Sequence, residues 1–342
     1  MFKSLKLTMA VAALGLVTIA SQPVKAAPFY EGKQVKITIG FGFGGTYGKY
    51  ARIFAEHLGK YVDGNPNFIV QSMPGAGGIK AMNYAANVMP ANGLNLFIPL
   101  DSGVLAQLIF AKKVKYDFRD FISLGSANQT NVILVLRSDT GITNWKQLKD
   151  KQVILGATGR GSTSFLIPNL MNGLVGTKMK IITGYKGSSK TGLSVEQGET
   201  TGAAFNWLFW KSKFERWFKG DKPYARAIMQ VGHFKDGDLP NVPMLKDQVT
   251  GEAKKIVKFV GALGLIGRGL AAPKGTDMAR IKELRIAFNK MVNDPAFIKD
   301  TKKRRLRVIA ATGKEIQKVI NDTLNNATPE LVAAAQRAIL GK

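Results

Sequence analysis

The first third of the chain alternates apolar segments with glycine-rich turns. Residues 35–39 alternate and are rich in β-branched side chains, as in a half-buried strand, and Tyr50, Phe54 and Leu58 recur at helical spacing. Between them runs the glycine-rich stretch 40–50. The pattern therefore predicts a strand, a tight glycine loop and an amphipathic helix.

The same pattern then repeats. Residues 68–72 form a second apolar segment that leads into the glycine loop 73–78, a helical segment at 79–88 and a third strand at 94–98. Strands that alternate with helices predict a parallel sheet, whose strand ends and following loops meet at one edge. Residues 101–103 follow the third strand at that edge, where they are either a third wall of a site or a plain helix cap.

A second set of strands begins after residue 121. Strands are predicted at 131–136, 152–156, 180–183, 201–205 and 225–231, and the loops at 157–164 and 184–191 repeat the glycine and hydroxyl chemistry of the first set. Residues 206–218 place four large aromatic side chains on one helical stripe, which is typical of core; a ligand-stacking shelf or a transporter-facing patch is the alternative. The pattern predicts two sheets with loops that face each other.

The chemistry of these loops points to an anion. Glycines expose backbone N–H groups, and a helix N-terminus adds about half a positive charge. Residues 40–45 also fit a dinucleotide fingerprint, but the acid that should follow Ser72 to hold the ribose is absent. Residues 184–191 nearly match a nucleotide P-loop, with Ser189 in place of the second glycine. A small anionic ligand is the better prediction.

The N-terminus predicts export. Lys3 and Lys6 precede an apolar run at 7–20, and small residues end the segment, which indicates a signal peptide over residues 1–26 that is cleaved after Ala26. A membrane anchor is the alternative, but the run is shorter than the roughly 20 residues of a membrane span. The remaining 316 residues (342 − 26) are enough for two domains.

Composition excludes several kinds of site. Without cysteine there is neither a disulfide nor a thiolate metal site, and the two histidines, His57 and His233, have no metal or nucleophile spacing. The net charge of +26 is spread along the chain apart from a run at 302–307, which we expect to be solvated rather than to bind nucleic acid. The sequence therefore predicts no enzyme, no metal and no cofactor.

Several stretches together resemble one family. Residues 44–52 (GGTYGKYAR), 64–66 (GNP), 73–78 (MPGAGG) and 83–84 (NY) are similar to the extracytoplasmic solute receptors of tripartite tricarboxylate transporters, called TctC or Bug receptors, and the similarity extends to about Val319. The chain departs from the family at Gly48, where an Asp is usual, and at Phe165, where a His is usual. The missing Asp argues against an amino acid as ligand.

The resemblance implies a two-lobed α/β fold of the periplasmic-binding-protein type (type II), with the ligand cleft between the lobes. The first lobe would comprise residues 27–124 and 232–342, and the second lobe residues 125–231. The protein would be a periplasmic monomer that captures a small organic carboxylate and delivers it to the membrane subunits of the transporter. The alternatives are an exported nucleotide-dependent oxidoreductase, a receptor of another transporter type, and a basic protein that binds the envelope or nucleic acid.

Candidate ligand-binding residues lie in the strand-end loops of both lobes. In the first lobe they are Phe43, Gly44, Gly45, Thr46, Tyr47, Gly75, Ala76, Gly77, Asp101 and Ser102. In the second lobe they are Ser162, Thr163, Ser164, Tyr185, Gly187, Ser188, Phe205 and Asn206, of which the Tyr185 loop is suggested by the resemblance. The prediction is that closure of the lobes completes the set of hydrogen-bond donors around a buried acid.

Overall fold

The computed structural model describes residues 27–341, so the predicted signal peptide lies outside the described residues. The strands are β1 (Gln34–Ile39), β2 (Asn67–Ser72), β3 (Asn95–Phe97), β4 (Ile122–Ser126), β5 (Val132–Arg137), β6 (Val153–Ala157), β7 (Met179–Thr183), β8 (Gly202–Asn206), β9 (Ala225–Val231), β10 (Gly269–Ala272) and β11 (Ala311–Thr312). The helices are α1 (Thr46–His57), α2 (Ile79–Asn87), α3 (Gly103–Ile109), α4 (Thr163–Val175), α5 (Ser188–Glu196), α6 (Trp207–Phe214), α7 (Gly251–Ala262), α8 (Met278–Asn293), α9 (Pro295–Lys303), α10 (Gly313–Asn325) and α11 (Pro329–Leu340).

The strands form two sheets, which we use to define two lobes. The first sheet has the order β11-β4-β10-β3-β1-β2, and the second has the order β7-β6-β8-β5-β9. The second lobe thus takes its strands from one continuous segment, whereas the first takes strands from both sides of it. The lobe boundaries at 124/125 and 231/232 stay a prediction, and β4 crosses the first of them by ending at Ser126 in the first sheet.

Both sheets are mixed, which corrects the expectation of parallel sheets. In the first sheet β1, β2 and β3 are parallel, but β10 pairs antiparallel with β3 and β4. In the second sheet β6, β7 and β8 are parallel, while β5 pairs antiparallel with β8 and β9. Periodicity along a strand does not report the direction of its partner, so the sequence pattern could not show this.

The parallel strands position the candidate site. β1 and β2 pair in register from Gln34 and Asn67 to Ile39 and Ser72, so they end side by side. The glycine loops that follow them are therefore neighbours at one edge of the sheet. β6 and β8 end at the facing edge of the second sheet, before α4 and α6.

The aromatic stripe of α6 and the turn after it is core, as predicted. Trp207, Trp210, Phe214 and Trp217 are buried in a cluster with residues of β5 and β8. The indole N–H of Trp210 donates to the carbonyl of Ile133 at 3.3 Å. These side chains hold α6 on the second sheet and leave no aromatic shelf there for a ligand or a transporter.

The C-terminal helices α9, α10 and α11 begin at residues that are typical of helix N-termini. Asp294 caps α9 ahead of Pro295, Thr312 and Glu315 form a capping box on α10, and Thr328 caps α11. The last helix packs against α4 of the second lobe, where a Cβ on Gly173 would lie 2.1 Å from the carbonyl oxygen of Ala338. Its Gln336 also donates to the Leu108 carbonyl of α3 at 2.8 Å, so α11 contacts both lobes.

The basic run at 302–307 is not simply solvated, which corrects that expectation. Arg304 pairs with Glu56 and Asp300, Arg305 pairs with Glu215, and Arg307 pairs with Asp236. Part of the run therefore holds α9 against α1 and against the second lobe. Among the described residues, no helix combines the length and the apolar character that a membrane crossing requires.

Candidate functional site

A small closed cavity lies where the strand ends of the two sheets meet; we call it the central cavity. Its volume is about 30 Å³, which is room for one or two water molecules. The lining residues are Phe41, Gly45, Thr46, Tyr47, Asp101, Ser102, Thr158, Ser162, Thr163, Ser188, Phe205, Asn206 and Arg268. Hydroxyl and amide groups of both lobes therefore face the same enclosed space.

Hydrogen bonds between the lobes close this cavity. Ser102 Oγ of the first lobe donates to the carbonyl of Gly161 at 2.7 Å, and Asn206 Nδ2 of the second donates to Thr46 Oγ1 at 3.1 Å. Two backbone bonds add to them, from Gly42 N to the Lys186 carbonyl at 3.1 Å and from Gly161 N to the Ala76 carbonyl at 3.3 Å. The structure is thus a closed form of the two-lobed protein.

A buried ion pair dominates the electrostatics of the cavity. Arg268, which directly precedes β10, is 2% exposed and its Nη1 donates to Asp101 Oδ2 at 2.8 Å. Its guanidinium carbon lies 3.8 Å from the centre of the Tyr47 ring, which adds a cation–π contact. Burial disfavours the charged guanidinium, but Tyr47 and Asp101 more than offset this and hold the pKa of Arg268 above its usual range. The arginine is therefore charged.

The guanidinium keeps donor capacity for a ligand. Its Nε donates to Thr46 Oγ1 at 3.1 Å, and Nη1 also donates to the Gly267 carbonyl at 2.9 Å. Among the described residues Nη2 makes no hydrogen bond, although a guanidinium has five N–H donors. Two N–H groups of a buried cation are therefore available in the cavity wall.

Tyr47 fixes the other side of the ion pair. Its hydroxyl donates to Asp101 Oδ1 and accepts from the Asp101 backbone N–H, both at 3.1 Å. Burial raises the pKa of Tyr47 above its usual range, so the phenol stays protonated and donates. With the Tyr47 hydroxyl on Oδ1 and the guanidinium on Oδ2, the Asp101 carboxylate is held in one orientation.

The structure brings together ten of the predicted site residues around the central cavity. They are Gly45, Thr46, Tyr47, Asp101, Ser102, Ser162, Thr163, Ser188, Phe205 and Asn206. Ser162 directly precedes α4, but its hydroxyl does not cap the helix and instead donates to the Gly159 carbonyl at 2.7 Å. Whether these residues bind the ligand stays a prediction.

The other predicted residues lie outside the cavity lining. Gly75, Ala76, Gly77 and Tyr185 line a neighbouring depression of about 260 Å³. Phe43 is 44% exposed at the surface. Three more contact other residues and not the cavity. Gly44 lies close to Ser189, and Ser164 Oγ accepts from the Thr158 N–H at 3.2 Å. Gly187 directly precedes α5 and lies against Gly42.

Three lining residues were missed in the sequence: Phe41, Thr158 and Arg268. Arg268 is separated from Asp101 by 167 positions, so no local motif could connect them. A signal was nevertheless present, because Arg268 is the only charged residue in the otherwise apolar segment 263–272. A lone charge in a segment of that kind must find a buried partner.

The structure also explains Gly48. A Cβ at this position would lie 2.2 Å from the carbonyl oxygen of Phe43, because the glycine loop folds back over the first turn of α1. The Asp that is usual in the resembled family would collide with this loop. The carboxylate that lines the central cavity is that of Asp101.

A cluster of metal-ligating side chains lies away from the cavity, on α1 and α9. One ligand atom each of Glu56, His57 and Asp300 lies within 4.8 Å of the others. Arg304 pairs with both carboxylates, and His57 Nε2 lies 3.2 Å from Asp300. The arginine already supplies the positive charge that a metal would bring, so the cluster fits an ion-paired contact between two helices.

Comparison with known proteins places this geometry in a family. The family described as tripartite tricarboxylate transporter family receptor matches residues 50–334. The chain belongs to this receptor family. A curated Cupriavidus necator relative, described as a UPF0065 protein in the gbd 5' region, is 25% identical over 303 residues, with 84% of this chain and 83% of the relative covered.

Several solved structures share this fold. The periplasmic binding protein BugD has a TM-score of 0.72 and 17% identity, with 90% of this chain and 98% of that one covered. An R. palustris protein with adipate has a TM-score of 0.69 and 18% identity, with 89% and 97% covered. MatC of Rhodopseudomonas palustris with bound malate has a TM-score of 0.68 and 16% identity, with 90% and 99% covered. The predicted resemblance and the predicted two-lobed periplasmic-binding-protein fold are confirmed.

Proposed function

We propose that this receptor binds a small organic acid in the central cavity and delivers it to the membrane subunits of a tripartite tricarboxylate transporter. The observation that carries the proposal is the buried Arg268, whose Nη2 has no partner among the described residues and which lines the central cavity together with hydroxyl groups of both lobes. A carboxylate is the group that fits a guanidinium edge, with two parallel N–H···O bonds. The two structural relatives with adipate and malate support the same ligand class.

Binding requires the lobes to open. The central cavity of about 30 Å³ cannot hold an acid of the size of malate or adipate. A ligand therefore enters an open form, in which the bonds Ser102–Gly161 and Asn206–Thr46 are broken, and the lobes close on it afterwards. The hydroxyls released by opening are then free to bind the acid.

Family membership also bears on where this protein acts. The family to which it belongs consists of transporter receptors. We propose that this chain is exported to the periplasm, that the signal peptide is cleaved after Ala26, and that the mature protein acts as a monomer without catalytic activity. We also propose that the first lobe comprises residues 27–124 and 232–342 and the second lobe residues 125–231.

A thermal-shift screen tests the ligand class. Matched mono-, di- and tricarboxylates, together with NAD⁺ and ATP, are added to the mature protein. An acid at about a hundred times its dissociation constant stabilises the folded form by roughly 2.7 kcal/mol, which raises the melting temperature by several degrees. Stabilisation by a nucleotide and by no acid would refute the proposal.

The site is tested with the double variant Arg268→Met/Asp101→Asn, which removes both charges of the pair and so avoids a lone buried charge. Since a hydrogen bond to a charged group contributes about 1.5–3 kcal/mol, the affinity for the acid found in the screen should fall at least tenfold by calorimetry. Unchanged affinity in a folded variant would place the ligand outside the central cavity.

A further inference from the structure

A second cavity, much larger than the central one, lies beside it at the junction of the lobes; we call it the basic groove. Its volume is about 590 Å³, and it is lined by Ile79, Lys80, Lys113, Thr158 and Arg160, among others. The depression of about 260 Å³ on one side adds Lys186, and the cavity of about 460 Å³ on the other adds Lys112. Among the described residues, none of the three spaces has an acidic side chain in its lining.

The cations of the groove are unpaired. Among the described residues none of Lys80, Lys112, Lys113, Arg160 and Lys186 forms an ion pair, although acidic partners hold the arginines of the run at 302–307. The N-terminus of α2, which has no acid in its first turn, also opens at the groove beside Lys80. The positive potential of this surface is therefore not neutralised by the protein itself.

Thr158 connects the groove with the central cavity. This residue is 9% exposed and lines both spaces, and its backbone N–H donates to Ser164 Oγ. Its hydroxyl, in contrast, is buried and has no hydrogen-bond partner in the part of the chain that the structure describes. Because Thr158 lies between the two cavities, a ligand that moves from one to the other can supply the missing hydrogen bond.

We propose that the basic groove is a second anion-binding site, where a multiply charged organic acid binds before it passes Thr158 into the central cavity. The identity of the anion as an organic acid rests on the proposed function. The groove holds the acid while the lobes are closed, because its volume, unlike that of the central cavity, accommodates one. Its unpaired cations also accelerate association by attracting anions over a Debye length.

Isoleucine-methyl NMR tests the groove directly, because Ile79 lies in its wall. Citrate is titrated into the mature protein at low salt, with sodium chloride of equal ionic strength as the reference. The Ile79 methyl signal should shift saturably with citrate. The charge-reversal variant Lys80→Glu/Arg160→Glu should lower the apparent affinity at least tenfold. The matched control Lys282→Glu/Lys290→Glu, on the exposed side of α8, should behave like the wild type.

The same titration separates this site from the central one. In Arg268→Met/Asp101→Asn the Ile79 shift should persist, even though binding in the central cavity is lost. Persistence of the shift in Lys80→Glu/Arg160→Glu at unchanged affinity, or no saturable shift in the wild type, would overturn the second site. If calorimetry shows that Arg268→Met/Asp101→Asn keeps wild-type affinity at the site that does not shift Ile79, only the proposed central site would be overturned.

Discussion

Asp101 and Arg268 place opposite charges at a cavity with room for only one or two water molecules. Each is costly to bury alone, and together they still cost desolvation energy that a pair of apolar residues would not. The pair is therefore weak evidence for stability. The pair lies at the junction of the lobes, and Tyr47 and Thr46 are hydrogen-bonded to it. This position favours a role in binding a ligand that completes the hydrogen bonds of the guanidinium.

Removal of the Asp101 carboxylate alone should destabilise the folded protein. In Asp101→Asn the buried guanidinium loses its counter-charge, and we expect the free energy of unfolding to fall by about 3 kcal/mol. A bound acid should restore the counter-charge and so stabilise this variant more than the wild type. Urea unfolding with and without the acid measures both effects.

The double variant Arg268→Met/Asp101→Asn is the control for this prediction, because it leaves no unpaired charge. It should be less destabilised than Asp101→Asn alone. Equal stability of Asp101→Asn and the wild type would mean that water already solvates the pair, so that the cavity is open in solution.

At the scale of elements, α1 and α6 meet across the lobes. Lys49 of α1 donates through Nζ to the carbonyl of Ser212 near the end of α6, at 3.3 Å. Burial, and then the nearby charges of Lys213, Arg52 and Arg305, lower the pKa of Lys49 to about 8. The contact thus combines one hydrogen bond with repulsion among four cations.

The titration of Lys49 should appear as a pH dependence of stability. A charged lysine in this position destabilises the folded protein. The destabilisation is complete below about pH 8, the pKa of Lys49 in the folded protein, and it is lost as the pH rises toward 10.5, the pKa in the unfolded chain. The wild type should therefore gain stability between pH 8 and 10.5 relative to Lys49→Met. At pH 7 the variant should be the more stable by on the order of 1 kcal/mol, after solvent screening.

Chemical denaturation of both proteins from pH 6 to 10.5 gives the difference, in which the titration of all other groups cancels. Lys318→Met, which removes an exposed cation from α10, is the control and should show no such dependence. A constant difference across this range would mean that Lys49 is solvated.

At the scale of the whole molecule, closure depends on two backbones in close contact. Gly77 and Gly159 meet so tightly that a Cβ on Gly159 would lie 2.3 Å from the Gly77 nitrogen. Gly161 lies in the same contact, where a Cβ would be 2.6 Å from Ile79 Cδ1 and 2.9 Å from the Ala76 carbonyl oxygen. Glycines are thus required here by the approach of the lobes and not only by the anion chemistry for which the sequence suggested them.

A side chain at Gly161 should hold the lobes apart. We expect Gly161→Val to increase the radius of gyration in small-angle scattering and to weaken acid binding at least tenfold, because the donors of the two lobes no longer meet. The circular dichroism spectrum should stay unchanged, since the added side chain projects into the gap between lobes.

Gly237→Ala is the matched control, because a Cβ there meets no atom within 4 Å. It should match the wild type in both measurements. If Gly161→Val closes as far as the wild type and binds as tightly, then Ile79 must have moved aside, and closure would not depend on this contact.

Local sequence patterns predicted many of the strands and helices. The alternation of residues 35–39 and the helical spacing after Tyr50 predicted β1 and α1, and the bounds of β9 were predicted as 225–231. Caps at Asp294, Thr312 and Thr328 fixed the starts of three helices. These features depend on neighbours within a few residues, so the sequence alone determined them.

What joins distant segments was decided only by the tertiary structure. β10 returns from the far end of the chain to pair antiparallel between β3 and β4, and it carries Arg268 into the cavity beside Asp101. Neither the direction of that strand nor the partner of that charge leaves a local trace. Tertiary packing determines both, because a buried charge requires a counter-charge, which can come from a distant part of the chain.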